Sequence, residues 1–284
     1  MNYRLLALHA HPDDESSKGA GTVARYADAG VEAVLLTATG GEAGDILNPS
    51  MDAAAVRRNL SDIRRRELEE AAAIIGFHEI VLLGYRDSGM PNTADNDHPD
   101  AFVNAAFDDV LGRVVNVVRR VRPHVVLGYD AHERYPHPDH LRIHELSLAL
   151  GEAAADPDRF PEAGDPWKIS KLYAPAWTVR RTRALHEAME ELGLESPFGR
   201  WMERLDEFGD HGKRLTSIDV SDQIDRARAA LRAHRSQVDP DGFWFQIPVE
   251  TVRDAYPLED FELLESRGVW DEAETDLFAG VQPA

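Results

Sequence analysis

The first half of the chain alternates short apolar runs with longer amphipathic stretches. This pattern is typical of βαβ units, in which helices cover a mostly parallel sheet. Strands are predicted at residues 5–10, 31–39, 79–85 and 125–129, and helices at residues 18–29, 52–75 and up to residue 121. Pro123 is the stop signal of the last of these helices. The sequence therefore predicts an α/β fold with a Rossmann-like, mostly parallel sheet flanked by helices.

The second half of the chain has a less regular pattern. Residues 156–167 contain three prolines and several acids, which is typical of a connector. Beyond it, a strand is predicted at residues 171–177 and helices at residues 180–192 and 222–235. We expect a Rossmann-like catalytic core over residues 1–165 and a smaller C-terminal cap or sheet extension over residues 166–284 that completes the substrate pocket. The aromatic run at residues 243–245 is interpreted as core or interface.

Composition narrows the chemistry. The chain has 284 residues, 43% hydrophobic and 29% charged, enough to bury a sizeable core. Because it has no cysteine, a metal must be held by His, Asp or Glu. A formal net charge of -20 argues against nucleic acid as partner, since such binding needs Lys and Arg contacts to phosphates. No apolar run reaches the roughly 18 residues of a membrane helix and no signal-peptide pattern is predicted, so we expect no membrane partner, cytoplasmic residence and a small-molecule substrate.

A polar segment follows each of the four strands predicted in the first half. These segments are residues 11–15, 40–42, 86–89 and 130–140. In open α/β sheets, ligands bind beyond the carboxyl ends of the strands, where the loops of neighbouring units meet. The sequence therefore predicts one functional rim built from four loops that are distant along the chain.

Two of these segments carry metal-ligand chemistry. A hydrolytic zinc site needs about three protein ligands and an open position for water. His11, Asp14 and His140 meet that requirement, and Pro12 stiffens the loop between the first two. Asp13 is then left to act as general base on a metal-activated water. The same donor types also bind iron(II), so Zn²⁺ is expected and Fe²⁺ stays an alternative.

The second motif begins a helix. Pro138 suits the first helical position, which places His137 at the N-cap and leaves its side chain free to face a substrate. There it would stabilise an oxyanion, either as imidazolium or as a neutral donor. Asp139 is expected to orient a histidine rather than to bind the metal directly.

Other interpretations of these histidines and glycines are weaker. His140 and His144 are spaced as in zinc proteases, but Leu141 stands where such a motif has Glu, and the aspartates of the first motif would be unexplained. His9 is interpreted as a structural histidine. Gly40-Gly41 with Gly44 fits neither the dinucleotide fingerprint nor the P-loop. A non-catalytic metal-binding module is disfavoured by Asp13, because a structural zinc site fills its fourth position with protein.

The two motifs together resemble the paired signature of the LmbE-like (PIG-L) zinc deacetylase superfamily. The resemblance covers nearly the whole chain, in residues 9–20, 39–49, 87–91, 135–140, 229–240, 261–263 and 277–280. It implies a Rossmann-like core, the same metal ligands and the same base. Within the superfamily it favours the mycothiol S-conjugate branch, which hydrolyses the amide between glucosaminyl-inositol and an S-conjugated acyl-cysteine, in detoxification or in biosynthetic tailoring. The alternative is deacetylation of an N-acetyl-glucosaminyl-inositol or a related N-acetyl sugar.

The resemblance also implies roles for residues outside the metal motifs. Tyr135 would help to polarise the amide carbonyl, and Lys18 would distinguish amidases from deacetylases. Glu42, Arg64 and Asp87 would bind sugar and inositol hydroxyls, since selecting a polyol takes several polar partners. The segment at residues 131–134 is bulkier and more charged than the glycine-rich stretch that the family has there, and we expect it to shape the leaving-group side of the pocket.

Overall fold

One mixed sheet of seven strands organises the part of the chain that the structure describes. The computed structural model describes residues 3–131, 135–196, 198–202, 209–210, 212–268 and 270–282. The strands are β1 (Arg4–His9), β2 (Glu32–Thr39), β3 (Glu79–Tyr85), β4 (Val125–Leu127), β5 (Lys171–Ala176), β6 (Leu215–Asp219) and β7 (Leu258–Ser266). Their order is β3-β2-β1-β4-β5-β7-β6, with β1 to β5 parallel and β7 antiparallel to both of its neighbours. The mostly parallel α/β fold is therefore confirmed.

Helices cover both faces of this sheet. They are α1 (Asp14–Ser17), α2 (Ala20–Asp28), α3 (Ala53–Arg57), α4 (Leu60–Ile75), α5 (Phe107–Val121), α6 (Pro138–Ala155), α7 (Val179–Glu191), α8 (Gly199–Met202), α9 (Ile224–Ala233), α10 (Phe243–Gln246) and α11 (Val249–Ala255). Short 3-10 turns lie at Phe102–Asn104 and Pro161–Ala163. None of the described helices is long and apolar enough to cross a membrane.

The central strand β1 explains why its sequence reads as a continuous apolar run. Leu5 and Ala7 pack against α2, α4 and α9 on one face, while Leu6 and Leu8 pack against α5 and α6 on the other. Successive side chains of a strand point to opposite faces, so a strand covered on both faces is apolar throughout. The loop that follows β1 therefore leaves a strand that is covered on both faces.

The helix expected at residues 18–29 is present as α2, which begins after Gly19 at φ 97°, and α1 precedes it as a separate short helix that was not predicted. The expected helix at residues 52–75 is divided into α3 and α4. Its predicted start is correct, since the Asp52 carboxylate accepts the backbone N–H groups of Ala54 and Ala55 as an N-cap. The turn at Gly19 leaves α1 as a short element of its own beside β1.

The C-terminal half adds three strands to the same sheet. β5 pairs with β4 in parallel, β7 pairs with β5 in antiparallel orientation, and β6 closes that edge. Only β5 among the three was predicted. The proposed division between residues 1–165 and 166–284 stays a prediction.

Candidate metal centre and active site

The predicted rim exists, and His11 lies at its centre. Its Nε2 lies 3.1 Å from Oδ2 of Asp139 at the start of α6 and 3.5 Å from Oδ1 of Asp87, just after β3. The loop after β2 joins through Glu42, whose Oε2 accepts the backbone N–H of Asp87 at 3.0 Å. Segments that follow four strands thus meet in one cluster, as expected of the carboxyl edge of a parallel sheet.

Three donor groups in this cluster are spaced for one metal ion. His11 Nδ1 lies 3.3 Å from His140 Nε2 and 3.6 Å from Asp14 Oδ2, and His140 Nε2 lies 3.5 Å from Asp14 Oδ1. A tetrahedral ion with ligand distances of about 2.0–2.2 Å requires donor atoms about 3.3–3.6 Å apart. The two histidines and the carboxylate therefore fit Zn²⁺ without rearrangement. Together they are the donor set that the sequence indicated.

A second group of possible donors is formed by His11, His137 and Asp139. In this group, His137 and Asp139 are already hydrogen-bonded to each other or to other residues. His137 accepts the backbone N–H of Asp139 at Nδ1 (3.2 Å), and Asp139 Oδ2 accepts the N–H of Ser88 (3.0 Å) in addition to facing His11. Asp139 is thus placed to orient the ring of His11, as carboxylates beside metal-binding histidines commonly do. We therefore favour the first donor set.

Electrostatics around the first set favour a cation. Burial alone would raise the pKa of Asp14, but Lys18, with Nζ 2.5 Å from Oδ1, and the two neighbouring histidines lower it well below its usual value. Burial lowers the pKa of His140 to about 3, so its ring is neutral, the form that binds metals. Burial also opposes charge on His11, yet three surrounding carboxylates raise its pKa well above the usual value.

Asp13 stands beside this set with its carboxylate uncommitted. Its backbone adopts φ 115°, a conformation uncommon outside glycine, and its N–H donates to Glu15 Oε2 at 3.0 Å. The carboxylate makes no hydrogen bond or ion pair with another described residue. Burial and the neighbouring charge of Asp14 raise its pKa to about 6, against lowering contributions from His234 and Lys18. A carboxylate with this pKa is suited to accept a proton near neutral pH.

His137 occupies the predicted N-cap of α6. Burial and the nearby His11 lower its pKa, which favours the neutral ring. Because Nδ1 accepts a backbone N–H, the neutral ring carries its hydrogen on Nε2. Tyr135, 51% exposed, lies against the same helix start, with its ring centroid 5.4 Å from that of His140.

The residues expected to bind a polyol lie in different environments. Arg64 is buried, and its guanidinium donates to the carbonyls of Gly41 and Asp45. A Cβ at Gly44 would lie 2.2 Å from that guanidinium, so Arg64 packs directly beneath the loop after β2. Asp87 is also buried, and its carboxylate accepts the N–H groups of Ala43 (3.2 Å) and Gly89 (2.8 Å). These contacts hold the loops together, and polyol binding by Glu42, Arg64 and Asp87 stays a prediction.

A cavity of about 560 Å³ opens next to the donor set. Lys18 and Tyr135 line it on that side, and β5, β7 and α7 supply much of the remaining wall, with Trp177 and Arg181 among the lining residues. Lys18 thus contacts both the cavity and Asp14. Of the loop expected to shape the leaving-group side, Ala131 lines the cavity, and residues 132–134 lie outside the described residues.

Comparison with known proteins agrees with this geometry. Residues 6–150 match the family model described as PIG-L, GlcNAc-PI de-N-acetylase. A mycothiol S-conjugate amidase of Streptomyces coelicolor is 40% identical over 98% of this chain and 97% of its own length. The chain belongs to the PIG-L family. A 1D-myo-inositol 2-acetamido-2-deoxy-alpha-D-glucopyranoside deacetylase of Geodermatophilus obscurus is 38% identical over 98% of each chain.

These two relatives are an amidase and a deacetylase, and both hydrolyse amides. The predicted enzyme class, an amide hydrolase, is therefore confirmed. The fold of the PIG-L chain is also that of a solved structure, the N,N'-diacetylchitobiose deacetylase from Pyrococcus horikoshii. That protein is 21% identical, with a TM-score of 0.62 over 92% of this chain and 83% of the other. At this identity the likeness shows the fold alone.

Three buried residues of this PIG-L site were missed from the sequence. Tyr129, fully buried after β4, hydrogen-bonds His9 (3.0 Å) and Asp14, and burial followed by the charge and hydrogen bond of Asp14 raises its pKa well above the usual value. Glu15 and His234 pair with each other beneath Asp13. Glu15 adjoins the first motif, and His234, which lies 219 residues away along the chain, falls in the segment at residues 229–240 that resembles the family.

Proposed function

We propose that this protein is a zinc-dependent amidase that hydrolyses mycothiol S-conjugates at the amide between glucosaminyl-inositol and the acylated cysteine. The observation that carries the choice of reaction is the cavity of about 560 Å³ beside the donor set. An acetyl group would fill little of it, whereas cavities of about 300–1,000 Å³ accommodate drug-sized ligands. An S-conjugated acyl-cysteine is a ligand of that size. The full-length similarity to an amidase of that name supports the same choice.

Zn²⁺ would be held by His11, Asp14 and His140, whose spacing fits it. When bound there, the ion would lower the pKa of an attacking water and polarise the amide carbonyl. Iron(II) accepts the same donors. The choice of metal is therefore part of the proposal.

The remaining chemistry falls to three side chains. Asp13 takes a proton from the attacking water, for which its pKa of about 6 is suited. His137 donates its Nε2 hydrogen to the oxygen that becomes negative in the tetrahedral intermediate, and Tyr135 assists from the cavity side. When the C–N bond breaks, Asp13 returns the proton to the leaving amine of the glucosaminyl-inositol, so that an acyl-cysteine acid and a free amine result.

The test is hydrolysis of a fluorophore-tagged mycothiol by metal-loaded protein. We expect release of the cysteine conjugate, its loss on treatment with a chelator, and recovery when Zn²⁺ is restored. Elemental analysis of the same sample, purified without air, identifies the metal. Absence of conjugate release from folded, metal-loaded protein would overturn the proposal.

The second candidate reaction is deacetylation of N-acetyl-glucosaminyl-inositol, supported by the relative that is 38% identical over nearly the whole chain. It predicts acetate release faster than conjugate cleavage under matched conditions. Lys18, which the resemblance associates with the amidases, lines the cavity and contacts Asp14, in keeping with the first candidate. Cytoplasmic residence and the lack of nucleic-acid or membrane partners stay predictions from composition.

A further inference from the structure

The cavity beside the donor set has aromatic walls. Trp177, Trp201 and Trp244 all line it, and Trp201 and Trp244 remain 44% and 42% exposed. The rings of Trp177 and Trp244 lie 6.3 Å apart in an edge-to-face arrangement. Trp244 is therefore not a core residue, and an interface role for residues 243–245 stays a prediction. Large exposed aromatic side chains gathered in one concavity indicate a binding surface rather than core packing.

Arg181, near the start of α7, also lines this cavity. Its guanidinium stacks on the ring of Trp177, 4.2 Å from the ring centroid. Among the described residues, none forms a hydrogen bond or an ion pair with the guanidinium of Arg181. Burial lowers the pKa of Arg181, although Glu259 and Asp260 act in the opposite direction. The cavity thus contains a partly desolvated cation that lies over an aromatic ring.

The carboxylates near Arg181 are engaged by other groups. Glu259 accepts the N–H groups of Gly21 (3.1 Å) and Thr22 (2.8 Å) at the start of α2. Asp260 is hydrogen-bonded by Ser217, Thr178, Tyr256 and Arg180. Glu262 pairs with Lys213 at 3.1 Å, and Asp210 accepts the backbone N–H of Val179. Arg181 consequently keeps its hydrogen-bonding capacity for a ligand.

We infer that this cavity is the subsite for the S-linked group of the conjugate, and that it favours a planar aromatic group bearing a carboxylate, which Arg181 binds. The inference rests on the proposed function for the identity of the ligand. Tryptophan faces and edges stack on a planar ring, and a guanidinium binds a carboxylate through two parallel hydrogen bonds. Stacking on Trp177 holds the guanidinium in place, which lowers the entropy lost when the anion binds.

Binding of thioethers tests the inference without requiring turnover. The probes are three N-acetylcysteine thioethers that differ only in the sulfur substituent: methyl, benzyl and para-carboxybenzyl. We expect benzyl to bind more tightly than methyl, and para-carboxybenzyl about 10-fold more tightly than benzyl, by titration calorimetry with the full chain. Arg181→Met should abolish the difference between the two benzyl probes. Arg183→Met, an exposed arginine of the same helix, should preserve it.

Equal binding of the two benzyl probes to the unmodified protein would overturn the inference, as would a 10-fold difference that survives Arg181→Met. The first comparison needs no variant, so a folding defect cannot obscure it. Cleavage of S-methyl mycothiol, followed in parallel, separates the two proposals. If it is cleaved while the carboxylate preference is absent, the subsite fails and the amidase stands. If the preference depends on Arg181 while no conjugate is cleaved, the subsite stands and the amidase fails.

Discussion

Glu15 and His234 form a fully buried pair that joins the metal-bearing loop to the C-terminal half of the chain. His234 Nε2 lies 2.6 Å from Glu15 Oε1, and both side chains are 0% exposed. The other carboxylate oxygen of Glu15 accepts the backbone N–H of Asp13, whose φ of 115° is unfavourable for a residue with a side chain. His234 thus acts as a positioning residue, because it fixes the carboxylate that holds the proposed base.

Replacing His234 should show how much this pair contributes to the free energy of unfolding. His234→Leu leaves the buried Glu15 carboxylate without its cationic partner, and we expect the free energy of unfolding to fall by about 3 kcal/mol. The double variant Glu15→Gln, His234→Leu removes the buried charge and should recover part of that loss. Urea unfolding measures both. A single variant as stable as the unmodified protein, or a double variant less stable than the single one, would contradict the pairing. Where the variants fold, kcat should fall at unchanged metal content, which a role in folding alone would not produce.

Asp13→Asn tests the proposed base. Asparagine has the same shape and also tolerates positive φ, so the fold should persist. Removing a general base costs typically about 10²–10⁴ in rate, and we expect kcat to fall in that range. The metal content should not change, because the donor set does not include Asp13. Retained metal with undiminished turnover would assign the proton transfer to another group.

The two histidines of α6 separate the competing metal sites. His140→Ala should abolish metal binding, whereas His144→Ala should retain about one ion per chain. The reason is that His144 Nδ1 already contacts the backbone carbonyl of Tyr129 at 2.8 Å, while His140 faces His11 and Asp14. Elemental analysis after gel filtration measures the difference. Equal metal loss in both variants would favour the pair four residues apart.

Asp260 should make stability depend on pH. Burial alone would raise its pKa, but hydrogen bonds from Ser217, Thr178 and Tyr256 and the charge of Arg180 lower it. A lowered folded-state pKa contributes stability that is complete above the unfolded value of about 3.9 and is lost as pH falls through the folded value. Asp260→Asn should therefore destabilise the protein by about 2 kcal/mol near neutral pH, and by progressively less below about pH 4.

Urea unfolding across this pH range checks the prediction, with Asp254→Asn, an exposed acid on α11, as control. A loss of stability in Asp260→Asn that does not change with pH would show that the carboxylate charge contributes nothing. The control variant should follow the unmodified protein throughout.

Local patterns predicted the elements that rest on short-range rules. The parallel strands, the N-cap at His137 and the start of the helix at Asp52 all follow from periodicity and capping preferences within a few residues. The antiparallel strand β7 was missed because the pairs Glu259-Asp260 and Leu263-Leu264 break the alternation of polar and apolar residues expected of a strand, and its pairing partner β5 lies about 90 residues earlier. Gly19, between α1 and α2, lies against Phe261 of that same strand, and a Cβ there would be 3.2 Å from the Phe261 ring.

The sequence by itself determined the donor types, since a chain without cysteine must hold a metal by His, Asp or Glu, and two of its post-strand loops pair His with Asp. The parallel strands bring those loops to one edge of the sheet, and the alternation of apolar runs and amphipathic stretches already predicts this arrangement. Only the tertiary structure decided which groups surround them. His234, Trp177 and Arg181 reach the site from the C-terminal half through pairings between residues far apart along the chain. No local propensity encodes such distances, because they arise when separate apolar faces are buried against one sheet.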